Sequence, residues 1–173
     1  MRKSVIAAVV LPAALALAGC AAETGAAAVV DGRRITVAEL DQAVRELQEV
    51  SDFDARTVLT ILVVADEYIE AAAAHGVAPS ADDARALLAQ SGEAVGGLSY
   101  DLAEASEGTI TVARASLAAS ALREVANASE VFEQVQGEIE ALDVSVNPRY
   151  GTFSAEAGTI DPLVHEWIVQ PAS

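Results

Sequence analysis

One predicted helix, over residues 55–75, is apolar around almost its whole circumference, and this feature most constrains the fold. Helices of this kind are normally buried at the centre of a bundle, because no face of them is suited to water. Gly76 supplies the usual C-terminal stop, and Pro79 lies just beyond it. The sequence therefore predicts a mainly α fold built around this helix. The apolar positions of its main face are Val58, Ile61, Leu62, Ala65, Ile69 and Ala72, and Leu59, Val63 and Val64 widen that face.

Small side chains must fill the core of this bundle. The chain has three phenylalanines, three tyrosines and one tryptophan, and its single methionine is the initiator. Alanine and small aliphatic residues must therefore supply the buried surface that aromatic residues contribute in many cores. Because helices with small side chains can approach one another closely, the composition favours a tightly packed helical bundle.

Two capping boxes mark the starts of helices on either side of the central one. Thr36 with Glu39 opens a predicted helix over 37–50, and Ser80 with Asp83 opens another that ends near residue 90. In each box the two side chains bond reciprocally to backbone N–H groups that a helix leaves free at its start. These signals predict one helix before the central helix and one after it.

The second half of the chain is predicted to contain two more helices. Glycines over 91–99 indicate a loop, and residues 100–107 are compatible with a short helical turn. Thr111 is predicted to cap a fourth helix, and apolar spacing over 129–142 predicts a fifth. The expected fold class is mainly α, a helical bundle of about five helices.

Short strands are predicted at both ends of this bundle. An Asp-Gly pair at 31–32 lies between the apolar segments 28–30 and 33–35. Asp-Gly is a preferred two-residue hairpin turn, because both of its positions need positive φ. Near the other end, Val144 and Val146 alternate with polar residues, which is typical of a strand. We expect these regions to pair, so that a small β ribbon joins the N- and C-terminal ends.

The first twenty residues have the pattern of an export signal. Arg2 and Lys3 give a positive start, and an apolar run over 5–17 follows, broken only by Pro12. This run is too short to cross a membrane, which takes roughly 20 apolar residues. A charged start, a short apolar stretch and small residues at a cleavage site predict a secretory signal peptide over 1–19.

The tetrapeptide Leu-Ala-Gly-Cys that ends at Cys20 resembles the bacterial lipobox, where signal peptidase II cuts before a cysteine that receives lipid. The resemblance implies that Cys20 becomes the first mature residue and carries acyl chains on its sulfur and amine. Several acyl chains anchor a protein firmly, since each buried methylene contributes ~0.8 kcal/mol. We expect residues 20–27 to be the lipidated cysteine and a tether. The alternative is an ordinary signal peptide followed by a chance cysteine.

The charge of the chain excludes several classes of partner. It has 26 acidic and 10 basic residues, a formal net charge of −16 at pH 7. Removal of residues 1–19 takes Arg2 and Lys3 away, which leaves eight arginines and a net charge of −18. Such a balance argues against nucleic-acid binding and against docking on anionic lipid through the protein surface. Because Cys20 is the only cysteine, its lipidation leaves no thiol for a disulfide, a metal ion or nucleophilic catalysis.

The sequence contains no motif for a nucleophile elbow, a phosphate-binding loop or a paired-cysteine metal site. Its two histidines, His75 and His165, are far apart and are interpreted as solvated residues. The acidic residues within 52–54 and 82–83 lack the spacing of a calcium loop and are better explained as helix caps. The sequence therefore predicts no catalytic residue, no cofactor and no metal site.

The order of these features resembles the N-terminal domain of SurA- and PrsA-type secretion chaperones. Residues 28–41 are similar to the opening of that domain: a short strand, an Asn/Asp-Gly turn, a second strand and a capped helix. The long apolar second helix, the segment 75–83 and the closing run 143–153 resemble the same family. The resemblance implies a chaperone-like domain over 28–153, followed by an irregular tail over 154–173.

The resemblance implies a helical domain that holds unfolded or partly folded exported polypeptides. Many family members also carry a parvulin-type peptidyl-prolyl isomerase domain, and no segment of this sequence resembles one. We therefore expect a non-catalytic chaperone, anchored to the cell membrane outside the cytoplasm through Cys20. Two alternatives are a dedicated interaction subunit of a cell-envelope complex and, from a different class, a degenerate isomerase.

Replacing Cys20 by alanine should leave the protein soluble or as an uncleaved precursor, because lipidation needs the thiol. Membrane fractionation with a high-salt wash measures this, and the unchanged chain expressed in parallel should stay in the membrane fraction. Mature Cys20→Ala protein that resists the wash would contradict the lipoprotein interpretation.

Overall fold

The computed structural model describes residues 25–163, and within them the chain forms five α-helices and five short strands. The fold is mainly α, as the sequence predicts. A single 3-10 turn, Leu102–Glu104, lies between the third and fourth helices. In chain order the elements are β1 (Ala26–Val30), β2 (Arg33–Thr36), α1 (Val37–Leu47), α2 (Ala55–Ala74), α3 (Ala81–Val95), α4 (Glu107–Leu122), α5 (Ala128–Ala141), β3 (Val144–Val146), β4 (Thr152–Ser154) and β5 (Thr159–Asp161).

A three-stranded antiparallel sheet joins the two ends of the described chain, which confirms the predicted ribbon. Its order is β2-β1-β3, so β1 is the central strand. Val29 faces Arg34 on one side and Ser145 on the other. Asp31 and Gly32 form the tight turn between β1 and β2, with φ values of 48° and 81°. Both are positive, as a two-residue Asp-Gly turn requires.

The apolar helix predicted at the centre of the bundle does lie there. Helix α2 packs against α1, α4 and α5, and β1 and β5 also contact it. Most of its buried residues are distributed around the first half of the helix rather than along one stripe, whereas Asp66 and Glu70 further along are exposed. The buried residues are Val58, Leu59, Leu62, Val63, Val64, Ala65 and Ala72.

Small residues set the distance between α1 and α4. A Cβ atom placed on Gly108 would lie 3.1 Å from the Cβ of Ala43, so the two helices meet with almost no side-chain volume between them. Ala113 and Ala118 are also buried on α4. These contacts are the close helix packing that the alanine-rich composition favours.

Two helix boundaries differ from those predicted. Helix α4 begins after Ser106 and not at Thr111, because the Ser106 hydroxyl accepts a hydrogen bond from the backbone N–H of Thr109 at 3.3 Å. Helix α3 continues to Val95, through the first half of the predicted 91–99 loop. The glycine signal was misleading there, because Gly92 lies inside the helix, where the Leu98 side chain packs over it.

The ends of the domain also extend further than predicted. Strand β1 starts at Ala26, so the last two residues of the predicted 20–27 tether belong to the sheet and are buried. The first part of the predicted irregular tail, 154–173, contributes to a hairpin in which β4 pairs with β5. Alanines carry no strand signal, and three-residue strands are too short to show an alternating pattern.

Gly151 permits the close approach of the connection after β3 to the β4–β5 hairpin. Its φ is 134°, and a Cβ atom there would overlap the Asp161 carbonyl group. Gly151→Ala should lower the free energy of unfolding by about 1–3 kcal/mol through backbone strain and this clash. Gly137→Ala is the matched control, because nothing lies within 4 Å of that position on α5 and alanine should stabilise the helix by ~0.5–1 kcal/mol.

Denaturant unfolding of the two variants measures both effects. Equal midpoints for Gly151→Ala and the unchanged chain would contradict the placement of the hairpin.

Candidate functional site

An apolar cleft lies where the C-terminal end of α1 meets α3 and α4. It encloses about 280 Å³, which is enough for one or two large side chains and small for a cofactor site. Its floor is buried, whereas Val50, Phe53 and Leu87 are half-buried and leave apolar surface at the opening. The residues that line it are Leu47, Val50, Ser51, Phe53, Leu87, Leu88, Ser91, Val112, Ala113 and Ser116.

A second hollow lies on the three-stranded sheet, but its chemistry is less suited to binding. It encloses about 180 Å³ between β1 and the segment 145–148. Ala26 and Ala28 form part of its wall, so it offers few large apolar side chains. The cleft between the helices is therefore the better candidate site.

Glu46 holds the end of α1, beside the cleft, against the start of α4. Only 9% of this residue is exposed. Its Oε2 accepts hydrogen bonds from the backbone N–H of Ser106 at 3.0 Å and from the Ser106 hydroxyl at 2.8 Å. Its Oε1 accepts from the side chain of Gln42 at 3.0 Å. The carboxylate at the end of α1 thus binds Ser106, the N-cap residue of α4.

The environment of Glu46 favours its ionised form. Burial alone would raise the pKa of this carboxyl, but hydrogen bonds from Thr109, Ser106 and Gln42 outweigh it. The pKa of Glu46 therefore lies below its ordinary value. A buried carboxylate that accepts several hydrogen bonds is the usual case of such a lowered pKa.

Glu49 makes a second attachment one turn further along the chain. Its carboxylate accepts hydrogen bonds from the backbone N–H of Ser99, at 2.6 Å, and from the Ser99 hydroxyl. These bonds hold the pKa of Glu49 below its ordinary value. Glu46 and Glu49 together fix the α3–α4 connection to α1. We call this pair of attachments the carboxylate clamp.

Tyr100 lies within this connection, close to the clamp. Its hydroxyl is buried and finds no hydrogen-bond partner among the described residues. Burial and the nearby Glu46 and Glu49 raise the pKa of Tyr100, so it stays protonated at neutral pH. The hydrogen bonds of Glu46 and Glu49 therefore attach parts of the fold to one another. The Ser106 hydroxyl is held in place as the N-cap of α4.

Two of the acidic residues that the sequence analysis interpreted as helix caps do cap helices. Asp54 caps α2 by accepting a 2.7 Å hydrogen bond from the backbone N–H of Thr57. Asp83 completes the capping box of α3, and Asp82 pairs with Arg85 at 3.1 Å. The caps predicted at 52–54 and 82–83 are confirmed for Asp54 and Asp83.

Cys20 and His165 lie outside the described residues, and His75 is exposed at the C-terminal end of α2. Within residues 25–163, no three His, Cys, Asp or Glu side chains are arranged to hold a metal ion. None of the helices in this part of the chain is long and apolar enough to cross a membrane.

Sequence reasoning overlooked Glu46, although a signal was available. Glu46 lies six residues after Leu40 and three after Ala43, and it immediately precedes Leu47. All three of these apolar residues are buried, so Glu46 lies on the face of α1 that packs inward. A carboxylate within an apolar stripe needs donors from another element, and this requirement pointed to a tertiary contact.

Comparisons with known proteins found no relative. The chain matches no protein-family model, no curated protein and no solved structure.

Replacing Glu46 by glutamine should lower the free energy of unfolding by about 1–3 kcal/mol at pH 7, because hydrogen bonds to a charged acceptor are lost. The ionised form stabilises the fold above the ordinary glutamate pKa of about 4.3, and this contribution is lost as the pH falls through the lower folded value. The difference between the variant and the unchanged chain should therefore shrink below about pH 4.

Denaturant unfolding at a series of pH values measures this difference. Glu133→Gln, an exposed position on α5, is the control and should change stability by less than about 0.5 kcal/mol. A Glu46→Gln difference that stays constant down to about pH 2.5 would contradict the clamp, because the carboxylate would then carry no pH-dependent stability.

Proposed function

We propose that the chain is a lipid-anchored domain outside the cytoplasm that binds segments of exported polypeptides without catalysing a reaction. Three features support this proposal: the lipobox-like sequence at Cys20, the resemblance of residues 28–153 to secretion chaperones, and the apolar cleft. The cleft carries the most weight, because it supplies a place where a polypeptide side chain can leave water.

The opening of the cleft brings several half-buried apolar side chains together. Large apolar residues that are exposed elsewhere are scattered: Val77 at 36%, Val95 at 54% and Leu163 at 43%. Scattered residues of this kind are common on protein surfaces and need no partner. Val50, Phe53 and Leu87 instead converge on one opening.

The size of the cleft indicates weak and reversible binding. Fully burying one large apolar side chain contributes ~1.5–3 kcal/mol, and ordering the bound segment offsets part of this gain. A domain that holds an unfolded chain must also release it, so contact through one or two side chains suits this task.

We expect the short distance from the anchor to keep binding close to the membrane. Only residues 21–25 separate Cys20 from the start of β1. Six residue steps of extended chain span at most about 20 Å, so a lipidated Cys20 would keep the domain next to the bilayer. Exported polypeptides emerge from the membrane in this region.

A dedicated interaction subunit is the second candidate, and two observations favour it. The described surface exposes few large apolar residues outside the cleft, and the chain after residue 19 has no methionine that could adapt to varied ligands. Promiscuous binding surfaces often depend on such flexible side chains. A subunit of this kind would bind one partner through the same cleft.

The proposal predicts that the full chain, reconstituted in nanodiscs, slows the aggregation of several unrelated unfolded exported proteins. Ser116→Trp should lose most of this protection, because Ser116 is exposed at the opening and indole would fill the cleft. Ser120→Trp is the matched control one turn along α4, at an exposed position that does not line the cleft. Light scattering measures the aggregation.

Four outcomes test the proposal and its alternatives. Protection of several clients that Ser116→Trp abolishes supports the chaperone, and protection of one partner alone favours the dedicated subunit. Equal protection by both tryptophan variants would contradict binding at the cleft. Acceleration of proline isomerisation, which takes roughly 10–100 s uncatalysed, would contradict the non-catalytic proposal.

A further inference from the structure

We infer that the cleft selects polypeptide segments in which an apolar side chain lies next to lysine or arginine. This inference rests on the proposed function and adds the chemistry of the bound segment. It is carried by the polar atoms around the opening, which accept hydrogen bonds and carry negative charge.

Two of the three serine hydroxyl groups that line the cleft have already used their protons. Ser91 donates its hydroxyl proton to the Leu87 carbonyl at 3.0 Å, and Ser116 donates to the Val112 carbonyl at 2.9 Å. These two oxygens can therefore offer only their lone pairs to a ligand in the cleft. A hydroxyl group in this state accepts but does not donate. The α3 and α4 walls of the opening therefore complement a ligand that donates hydrogen bonds.

The loop after α1 brings negative charge to the same opening. Ser51 and Phe53 line the cleft, and Asp52 between them is exposed. Asp54 follows, and hydrogen bonds from Thr57 lower its pKa, so this carboxylate stays ionised at neutral pH. A carboxylate beside an apolar pocket attracts an ammonium or guanidinium group and repels an acidic one.

Glu49 precedes Val50 of the cleft wall, and although its carboxylate is bonded to Ser99, its lowered pKa keeps it ionised. No arginine lines the cleft to neutralise these charges. Arg85 of α3 is paired with Asp82, and Arg114 of α4 donates to the Pro79 carbonyl at 3.1 Å. Arg45, in the last turn of α1, is exposed and does not line the cleft either, so the residues that line the opening supply no counter-ion.

The net charge of the whole chain alone would attract any basic peptide. The cleft hypothesis makes a narrower claim, because it requires the charge and the apolar side chain to be recognised together. A test must therefore separate the charge beside the cleft from equal charge elsewhere. Asp52 and Glu133 allow this, since both are exposed and only Asp52 lies beside the cleft.

The experiment uses the full chain in phosphatidylcholine nanodiscs and three fluorescein-labelled peptides with the same central Leu-Phe pair. The pair is flanked by lysines, glutamines or glutamates, and fluorescence anisotropy measures the affinity, with empty nanodiscs as a blank. We expect the lysine peptide to bind about tenfold more tightly than the glutamate peptide, because a few exposed ion pairs each contribute a few-fold. About 0.5 M salt should remove most of this difference.

Single substitutions then locate the charge that matters. Asp52→Asn should weaken binding of the lysine peptide about threefold and leave the glutamine peptide unchanged, whereas Glu133→Gln should affect neither. Ser116→Trp should abolish binding of the lysine and glutamine peptides, because it occupies the apolar part of the site.

Equal affinity for the three peptides would overturn the inference, and so would equal effects of Asp52→Asn and Glu133→Gln. A dimer that Ser116→Trp dissociates would also overturn it, because a second copy would then be the occupant. The proposed function is judged separately: selective peptide binding without protection from aggregation leaves this inference intact and contradicts the chaperone. Protection from aggregation without charge selectivity would support the chaperone and overturn this inference.

Discussion

The buried carboxylate of Glu46 is the contact on which the candidate site depends. It joins the end of α1 to Ser106, the N-cap residue of α4, which lies 60 positions further along the sequence. Glu49 adds the attachment to Ser99, so the whole α3–α4 connection is held from one helix. The cleft is formed by α1, α3 and α4, and the clamp attaches the first of these helices to the start of the last.

Hydrogen-bond donors, rather than cations, stabilise the two carboxylates of the clamp. The ion pairs in residues 25–163 are Arg33–Asp66 and Arg85–Asp82, and neither involves Glu46 or Glu49. Burying a carboxylate is costly unless backbone and side-chain donors replace its water, and the donors of Ser106 and Gln42 do so. Because the chain has few basic residues, hydrogen-bond donors take the place of a cation beside this buried carboxylate.

The three-stranded sheet performs a different task, because it ties the ends of the domain together. Two strands alone are marginally stable in water, so β1 gains from having partners on both sides and helices packed against it. Asp31 strengthens the closure, since its backbone N–H bonds the Asp143 carbonyl at 2.9 Å and its side chain accepts from the Asp143 N–H at 2.9 Å. The start and end of the helical bundle are thereby held at one place.

The sequence predicted the elements whose signals are local. The Asp-Gly turn, the capping boxes at Thr36 and Ser80, and the buried α2 each follow from residues that are close together in the chain. The start of α4 was mispredicted because Ser106 and Thr111 are both plausible caps.

A contact with Glu46 accompanies the Ser106 cap, and that contact is formed only in the folded protein. The β4–β5 hairpin was missed for a similar reason, since part of its support comes from α2, where the Thr60 hydroxyl accepts from the Ile160 N–H. The cleft itself could not be predicted, because its walls come from three helices whose relative positions the sequence pattern does not encode.

The central claim is that an apolar segment with neighbouring positive charge binds between α1, α3 and α4. Backbone amide chemical shifts, recorded by NMR during titration with the lysine-flanked Leu-Phe peptide, test this location directly. We expect the largest changes at residues of the cleft, such as Ser51, Phe53, Leu87 and Ser116. Largest changes on the sheet, at Val29 and Ser145, would contradict it.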